Sequence, residues 1–267
     1  MIKVENVKVY NIARAVYSAR NAMNSWDKSD SDLEKDILGE NDLDLAKRLC
    51  VAGSEHRKYL RQIFVVMDIT SNHFFTPELD TYKVGTVRNS CSKMHKIHVK
   101  EFLPIDFSHE GIDEVGGCTK DIFKEVLDEL ERLRISFNNT KEKKYWRAML
   151  ELLPMGYNIK FTLSMNYENV INMIKQRRGH KLLEWREFCN ILLDLPYVEE
   201  LVNSIDKREK EEVEILKDKC TELEKTLNHI KSIIKSNDTY GCKINEGNLN
   251  ILDIITETIG DDDKYYF

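Results

Sequence analysis

The stretch from Tyr157 to Glu187, YNIKFTLSMNYENVINMIKQRRGHKLLEWRE, constrains this chain more than any other. Ile159, Phe161, Leu163 and Met165 alternate with Lys160, Thr162 and Ser164, the two-residue period of a strand with one buried face. Asn166 then stands where a helix N-cap is needed, because its side-chain oxygen accepts a bond from a free backbone N–H. Val170, Ile171, Met173 and Ile174 give the following helix its apolar face, and a second helix begins near Glu184. The pattern predicts a strand running straight into a helix, within a mixed α+β domain. Asn166, Asn172 and Arg177 fall off the apolar face and lead into Arg178-Gly179-His180. Two amides and a guanidinium so placed suit a polar, anionic, heteroaromatic ligand. The purely structural alternative makes them an N-cap, a surface amide, a cation at the helix C-terminus and a solvent-facing imidazole.

At 267 residues the chain is one large domain, or one domain with an appendage, and can bury a sizeable core. A net charge of −6 argues against a non-specific nucleic-acid binder, so any phosphate site is local. There is no apolar run long enough to span a bilayer and no signal peptide ahead of Val4, so a cytoplasmic protein without a membrane partner is expected. Cys50, Cys91, Cys118, Cys189, Cys220 and Cys242 are scattered without a CxxC pair. Reduced thiols are the simpler reading than a disulfide framework or a zinc knuckle. His95 and His98 stand three apart with His109 beyond them. Their β-branched surroundings read as a strand, which aims the two rings to opposite faces, and no metal site is assigned. Neither Cys91 nor Cys189 has an evident histidine partner for nucleophilic catalysis, and no GxGxxG, Walker, GxSxG or HExxH pattern occurs.

Elsewhere the periodicity predicts a strand over Val4–Tyr10, a helix over Ala13–Met23 and a polar loop over Lys28–Asp32. A short helix over Leu43–Val51 is stopped by Gly53. Ile63–Ile69 reads as a strand, Phe74–Lys83 as a helix, and Ser108–Gly117 as a polar, turn-rich segment. Ile122–Phe137 and Lys141–Leu153 read as helices separated at Asn138-Asn139.

The second informative block is Glu55–Met94. Glu55-His56 precedes the Ile63–Ile69 strand, and further on comes TYKVGTVRNSCSKM, from Thr81 to Met94. Together with Asn166, Asn172, Arg177, His180 and Glu184-Trp185-Arg186, this block resembles the flavin-dependent thymidylate synthases. The family signature is RHRxxSxNExSxRY. Here Thr81, Tyr82 and Lys83 stand for Arg, His and Arg, Thr86 for the first Ser, and Asn89 for the Glu. Cys91 stands for the second Ser, Lys93 for the later Arg and Met94 for the Tyr. Lysine is a point charge and does not reproduce the bidentate contacts of arginine.

The resemblance implies a domain like those synthases over residues 1–203. It implies reductive methylation of dUMP to dTMP with FAD as cofactor and with NADPH and methylenetetrahydrofolate as co-substrates. It implies that His56, Asn166, Asn172, His180 and Lys83 hold the flavin, and that Arg177 holds the uracil and stabilises charge on the ring. Glu78 stands where the family has a glutamine, and Arg147 precedes Leu153-Pro154 as a family arginine precedes its Leu-Pro pair. With Asn89, Ser90, Cys91 and Lys93, these two complete the implied substrate contacts. Sites in the family form at junctions of a homotetramer, so an oligomer is implied. Two readings of the eroded block stay open. In one, Lys83, Arg88, Asn89, Ser90, Ser92 and Lys93 form a remodelled phosphate nest that Gly85 lets the backbone approach. In the other, the block is a solvated basic segment without a ligand. For the whole chain the alternatives are a divergent relative that binds flavin or nucleotide without making dTMP, modifying another pyrimidine or serving as a binding protein, and an interaction protein in which only the coiled coil matters.

Val213, Leu216, Cys220, Leu223, Leu227, Ile230 and Ile234 follow 3-4 spacing for three heptads in a charged helix expected over 204–236. Three heptads are marginal alone, so this helix packs on something else or pairs across subunits. A tail over 237–267, with the acidic run Gly260-Asp261-Asp262-Asp263, ends the chain.

Overall fold

The computed structural model describes residues 2–238, with side chains through 232. Cys242 and the acidic run lie outside the described residues, as does all but the start of the expected tail. The chain divides into two compact units after Lys207.

The first unit is built on a four-stranded antiparallel sheet. Its strands are β1 (Lys3–Tyr10), β2 (Phe64–Ser71), β3 (Val87–Ser90) and β4 (Ile159–Asn166), in the order β1-β2-β4-β3. The alternation seen in sequence fixes which face is covered: Val65, Met67 and Ile69 of β2 lie with Phe161, Leu163 and Met165 of β4 in the core. Helices α1 (Ile12–Ala19), α2 (Glu40–Val51), α8 (Tyr167–Arg177) and α9 (Leu183–Leu193) contribute Val16, Ala46, Ile171 and Trp185 to the same core. The opposite face is polar. Asp68 accepts from Asn6 Nδ2 at 2.9 Å and Thr162 Oγ1 at 2.7 Å, and Lys160 approaches at 3.5 Å. Asn6, at φ 55°, marks the irregularity where β1 slips between Glu5 and Lys8.

Between β2 and β4 the chain forms α3 (Thr76–Leu79), α4 (Lys93–Lys96), α5 (Glu110–Val115), α6 (Cys118–Thr140) and α7 (Lys143–Leu152). The last two pack as a hairpin around Leu127, Leu130, Leu133 and Met149, a second small core with Phe102 and Phe107.

Four expectations need correction. The helix expected over Phe74–Lys83 is a single turn, since Pro77 favours its start and Thr81 Oγ1 bonds back to the Glu78 carbonyl at its end. Ser108–Gly117 holds a helix, α5, rather than turns alone. The break between α6 and α7 falls at Lys141, in the left-handed region at φ 59°, and not at the two asparagines. His95 lies in α4 and not in a strand, while His98 packs edge-on against Phe137 with ring centroids 4.9 Å apart.

A buried ion pair secures the loop between α1 and α2. Arg20 donates to Asp42 through Nε at 2.6 Å, and Ser29 and Ser31 hydroxyls donate to the other Asp42 oxygen at 2.5 Å. Burial pushes the Asp42 carboxyl up, but the two hydroxyls and Arg20 outweigh it and hold the group low.

The long helix α10 (Val198–Asp238) carries the second unit from Arg208 onward. There Val213, Leu216, Leu223 and Ile230 are all exposed. Among the described residues no helix is long and apolar enough to cross a membrane.

Candidate functional site

The strand β4 passes into α8 without a linker. Asn166 is the last residue of β4 and the N-cap of α8, its Oδ1 accepting from Asn169 N at 3.0 Å. Eleven residues of helix then carry Arg177 to the far end. The two ends of α8 build two polar groups.

At the C-terminal end, Arg177 donates from Nε to Tyr82 Oη at 3.2 Å and from Nη1 to Glu78 Oε2 at 3.0 Å. Its guanidinium lies 5.1 Å from the Trp185 ring centroid and 5.9 Å from that of Tyr82. Glu78 Oε2 also accepts from Trp185 Nε1 at 2.8 Å, and His180 Nε2 stands 3.5 Å away. The other His180 nitrogen, Nδ1, accepts from Leu182 N at 3.2 Å, which leaves the proton of a neutral ring on Nε2. Glu78 Oε1 and Arg177 Nη2 make no hydrogen bond among the described residues. Arg177 keeps 23% and Glu78 34% of the side chain exposed. The turn that bears Glu78 is held in place from below. Buried Asn72 donates to Glu184 Oε1 at 2.6 Å and accepts from Phe75 N at 3.0 Å, tying the exit of β2 to the start of α9.

At the N-terminal end, Gly85 packs against the α8 cap. Its φ of +80° is open to glycine, and a Cβ there would lie 2.5 Å from Asn166 Nδ2 and 2.8 Å from Asn169 Oδ1. Asn169 Nδ2 donates to Val84 O at 2.7 Å, while its Oδ1 is buried without a partner. Asn172 is half-buried one turn further on, with no side-chain hydrogen bond among the described residues. Lys83 is exposed beside this group.

A third polar group lies at the opposite end of the sheet. Lys93 Nζ stands 3.0 Å from His73 Nε2, and the His73 ring stacks on Tyr157. Arg88 donates from Nη2 to Asp80 at 2.8 Å, packs over the Phe161 ring and leaves Nη1 buried without a partner. Burial, then the Lys93 and Arg88 charges, push the His73 imidazole down to about 4. Burial and then Arg88 lower the Lys93 ammonium.

No protein-family model matches the sequence, and no curated protein matches it. Solved structures do. Thymidylate synthase X (ThyX) from Helicobacter pylori, solved with FAD and dUMP, aligns over 77% of this chain and 99% of its own length, with 17% identity and a TM-score of 0.57. A second structure of that enzyme with the same two ligands aligns over 76% of this chain and 99% of its own, with 18% identity and a TM-score of 0.55. The chain has a ThyX-like fold.

On that fold, the structure brings Glu78, Arg177 and His180 together, places Asn166 at the other end of α8 and Asn172 midway along it, and leaves Lys83 exposed two residues before Gly85. Asn89 and Ser90 are exposed on the edge strand β3, and Cys91 follows them, its backbone N–H donating to Lys160 O at 3.0 Å. Arg147 is exposed on α7 and donates to Glu151 at 2.6 Å, and His56 is exposed ahead of the turn Arg57–Gln62. Neither makes a hydrogen bond to the three polar groups. Sequence reading passed over His73 and Asn169. Asn169 carried a signal, three residues beyond the N-cap asparagine, whereas His73 follows a strand end with nothing to mark it.

Proposed function

We propose that this chain is a flavin-dependent synthase of thymidylate type, methylating dUMP to dTMP with FAD, NADPH and methylenetetrahydrofolate. The observation that carries the reading is the convergence of Glu78, Arg177 and His180 beyond the C-terminal end of α8, with Arg177 Nη2 left without a hydrogen bond among the described residues. That N–H is a donor for a pyrimidine carbonyl oxygen. Arg177 holds the carbonyl and stabilises negative charge that develops on the ring, its guanidinium steadied against the Trp185 and Tyr82 rings. Lys93 and Arg88 supply the positive charge for a phosphate, with neutral His73 accepting from the Lys93 ammonium.

The residues around Gly85 fit a flavin nucleotide. An orphaned Asn169 oxygen, the unbonded Asn172 amide and the Lys83 ammonium are polar groups available to a flavin nucleotide there, while Gly85 lets the loop close on the α8 cap. Asn166, Asn172, Lys83 and His180 would hold it, and the family resemblance adds His56. A bound flavin supplies hydride to the one-carbon unit, and the protein supplies orientation and charge. In this reading the enzyme is a cytoplasmic homotetramer.

The visible absorption spectrum of the purified protein tests this first, with FAD added if it is colourless. A flavin spectrum that shifts on adding dUMP, with tritium release from labelled dUMP, supports the synthase. No flavin uptake under any condition sinks it.

A second reading rests on the same ion pair. Glu78 already neutralises Arg177, so a ligand must compete with it. The chain is then a divergent relative that binds flavin or nucleotide and modifies another pyrimidine, or serves as a binding protein. Flavin and dUMP binding without tritium release selects that outcome.

A further inference from the structure

We propose that the exposed seam of α10 pairs with the same seam of a second copy of this chain, as a parallel, in-register, two-stranded coiled coil. Val213 begins the seam, because the two preceding positions in the repeat are Asp206 and Glu209. With Val213 at position a, Cys220 and Leu227 are also a positions, and Leu216, Leu223 and Ile230 are d positions. Leu227 is half-buried, and the other five side chains are exposed. Val213, Leu216, Leu223 and Ile230 are 50%, 59%, 68% and 47% exposed, and Cys220 is exposed as well. An apolar stripe of this length along a solvated helix calls for a partner.

Charge selects the partner and its direction. The e and g positions flank the seam and set pairing across it. In a parallel, in-register pair each g residue faces the e residue five places on in the other chain. Glu212 then faces Lys217, and Lys219 faces Glu224, each pair formed twice by symmetry. Within one helix Glu212 already takes Arg208 Nε at 2.9 Å on Oε1, which leaves its second oxygen for the partner's lysine. The antiparallel alignment of the same seam keeps only Lys217 against Glu224 and sets Lys219 against Thr226. A β-branched residue at the first a position with leucine at the first two d positions also favours two strands. The seam is outside the share of the chain needed for the flavin reading and does not depend on it.

The test uses the full chain carrying Cys91→Ser, Cys118→Ser and Cys242→Ser, so that Cys220 is the exposed thiol in the described helix. A short bis-maleimide is added over a range of chain concentrations. Covalent dimer is expected, and Leu223→Asp in the same background abolishes it. Lys219→Glu shifts the concentration for half cross-linking up about tenfold, and adding Glu224→Lys brings it back. Absence of the cross-link, or a cross-link that Leu223→Asp leaves intact, overturns the proposal. So does indifference to Lys219→Glu, which is the signature of the antiparallel pair. Flavin absorbance of the same samples reports separately on the first unit.

Discussion

Glu78 and Arg177 are 99 residues apart in sequence and meet at 3.0 Å, with Trp185 holding the same carboxylate oxygen at 2.8 Å. The turn after β2 is thereby pinned to the end of α8, and the guanidinium is partly neutralised before any ligand arrives.

Replacing Glu78 by glutamine keeps an acceptor for Trp185 and removes the counter-charge. We expect Glu78→Gln to bind dUMP about tenfold more tightly, the worth of one weakened competing ion pair. Titration calorimetry on both proteins checks this. Equal or weaker binding would mean that Glu78 contacts the ligand more than it competes with it.

Gly85→Ala forces a Cβ into the Asn166 amide at a left-handed φ. A loss of about 1–3 kcal/mol in folding stability is expected, together with loss of flavin uptake. Denaturant melts and the absorption spectrum read the two effects. A variant as stable as the parent would show that the loop moves freely off the cap.

Asn166 has two separable roles. Asn166→Ala removes the cap and costs about 0.5–2 kcal/mol, whereas Asn166→Asp keeps the cap. If Asn166→Asp holds its melting point and still loses flavin, the Nδ2 group contacts the ligand. Retained flavin in both variants would leave Asn166 with the structural role alone.

His73 gives a pH signature. Its folded imidazole titrates at about 4, below the ordinary value near 6.5, so it is neutral when folded and the unfolded chain takes up the proton first. Stability from this group is therefore present above pH ~6.5 and lost as pH falls towards 4, by about 1–2 kcal/mol once solvent screening is allowed for. His73→Gln should lose less stability than the parent between pH 7 and 4.5 in urea melts. Parallel profiles would exclude the burial of a neutral ring at this place.

Asp42→Asn leaves the Arg20 guanidinium buried without its counter-charge. A destabilisation of about 3–5 kcal/mol is expected from thermal or denaturant melts. A loss under 1 kcal/mol would show that water reaches the pair.

The strand β4 and the helix α8 were legible because their pattern is local. Alternation at Ile159–Met165 and a capping asparagine act within a few residues of one another. The turn at Thr76–Leu79 was not, because the apolar Phe74, Phe75 and Leu79 look helical, whereas the segment ahead of the turn is anchored by Asn72, whose partner Glu184 is 112 residues away. The lysine–histidine contact was hidden for the same reason: His73 meets Lys93 only after β2 and β3 have both paired with β4. Arg177 and His180 could be singled out by residue type, but the aromatic walls around the guanidinium depend on where Tyr82 and Trp185 come to rest.

The unbroken passage from β4 into α8 makes the helix a ruler. Asn166 and Arg177 are eleven residues apart on one rigid rod, about 16 Å at the rise of an α-helix. A lone pyrimidine cannot touch both ends. Whatever occupies both polar groups is either two molecules laid end to end or one molecule of dinucleotide length, and the gap between them is set by the count of residues in a single helix.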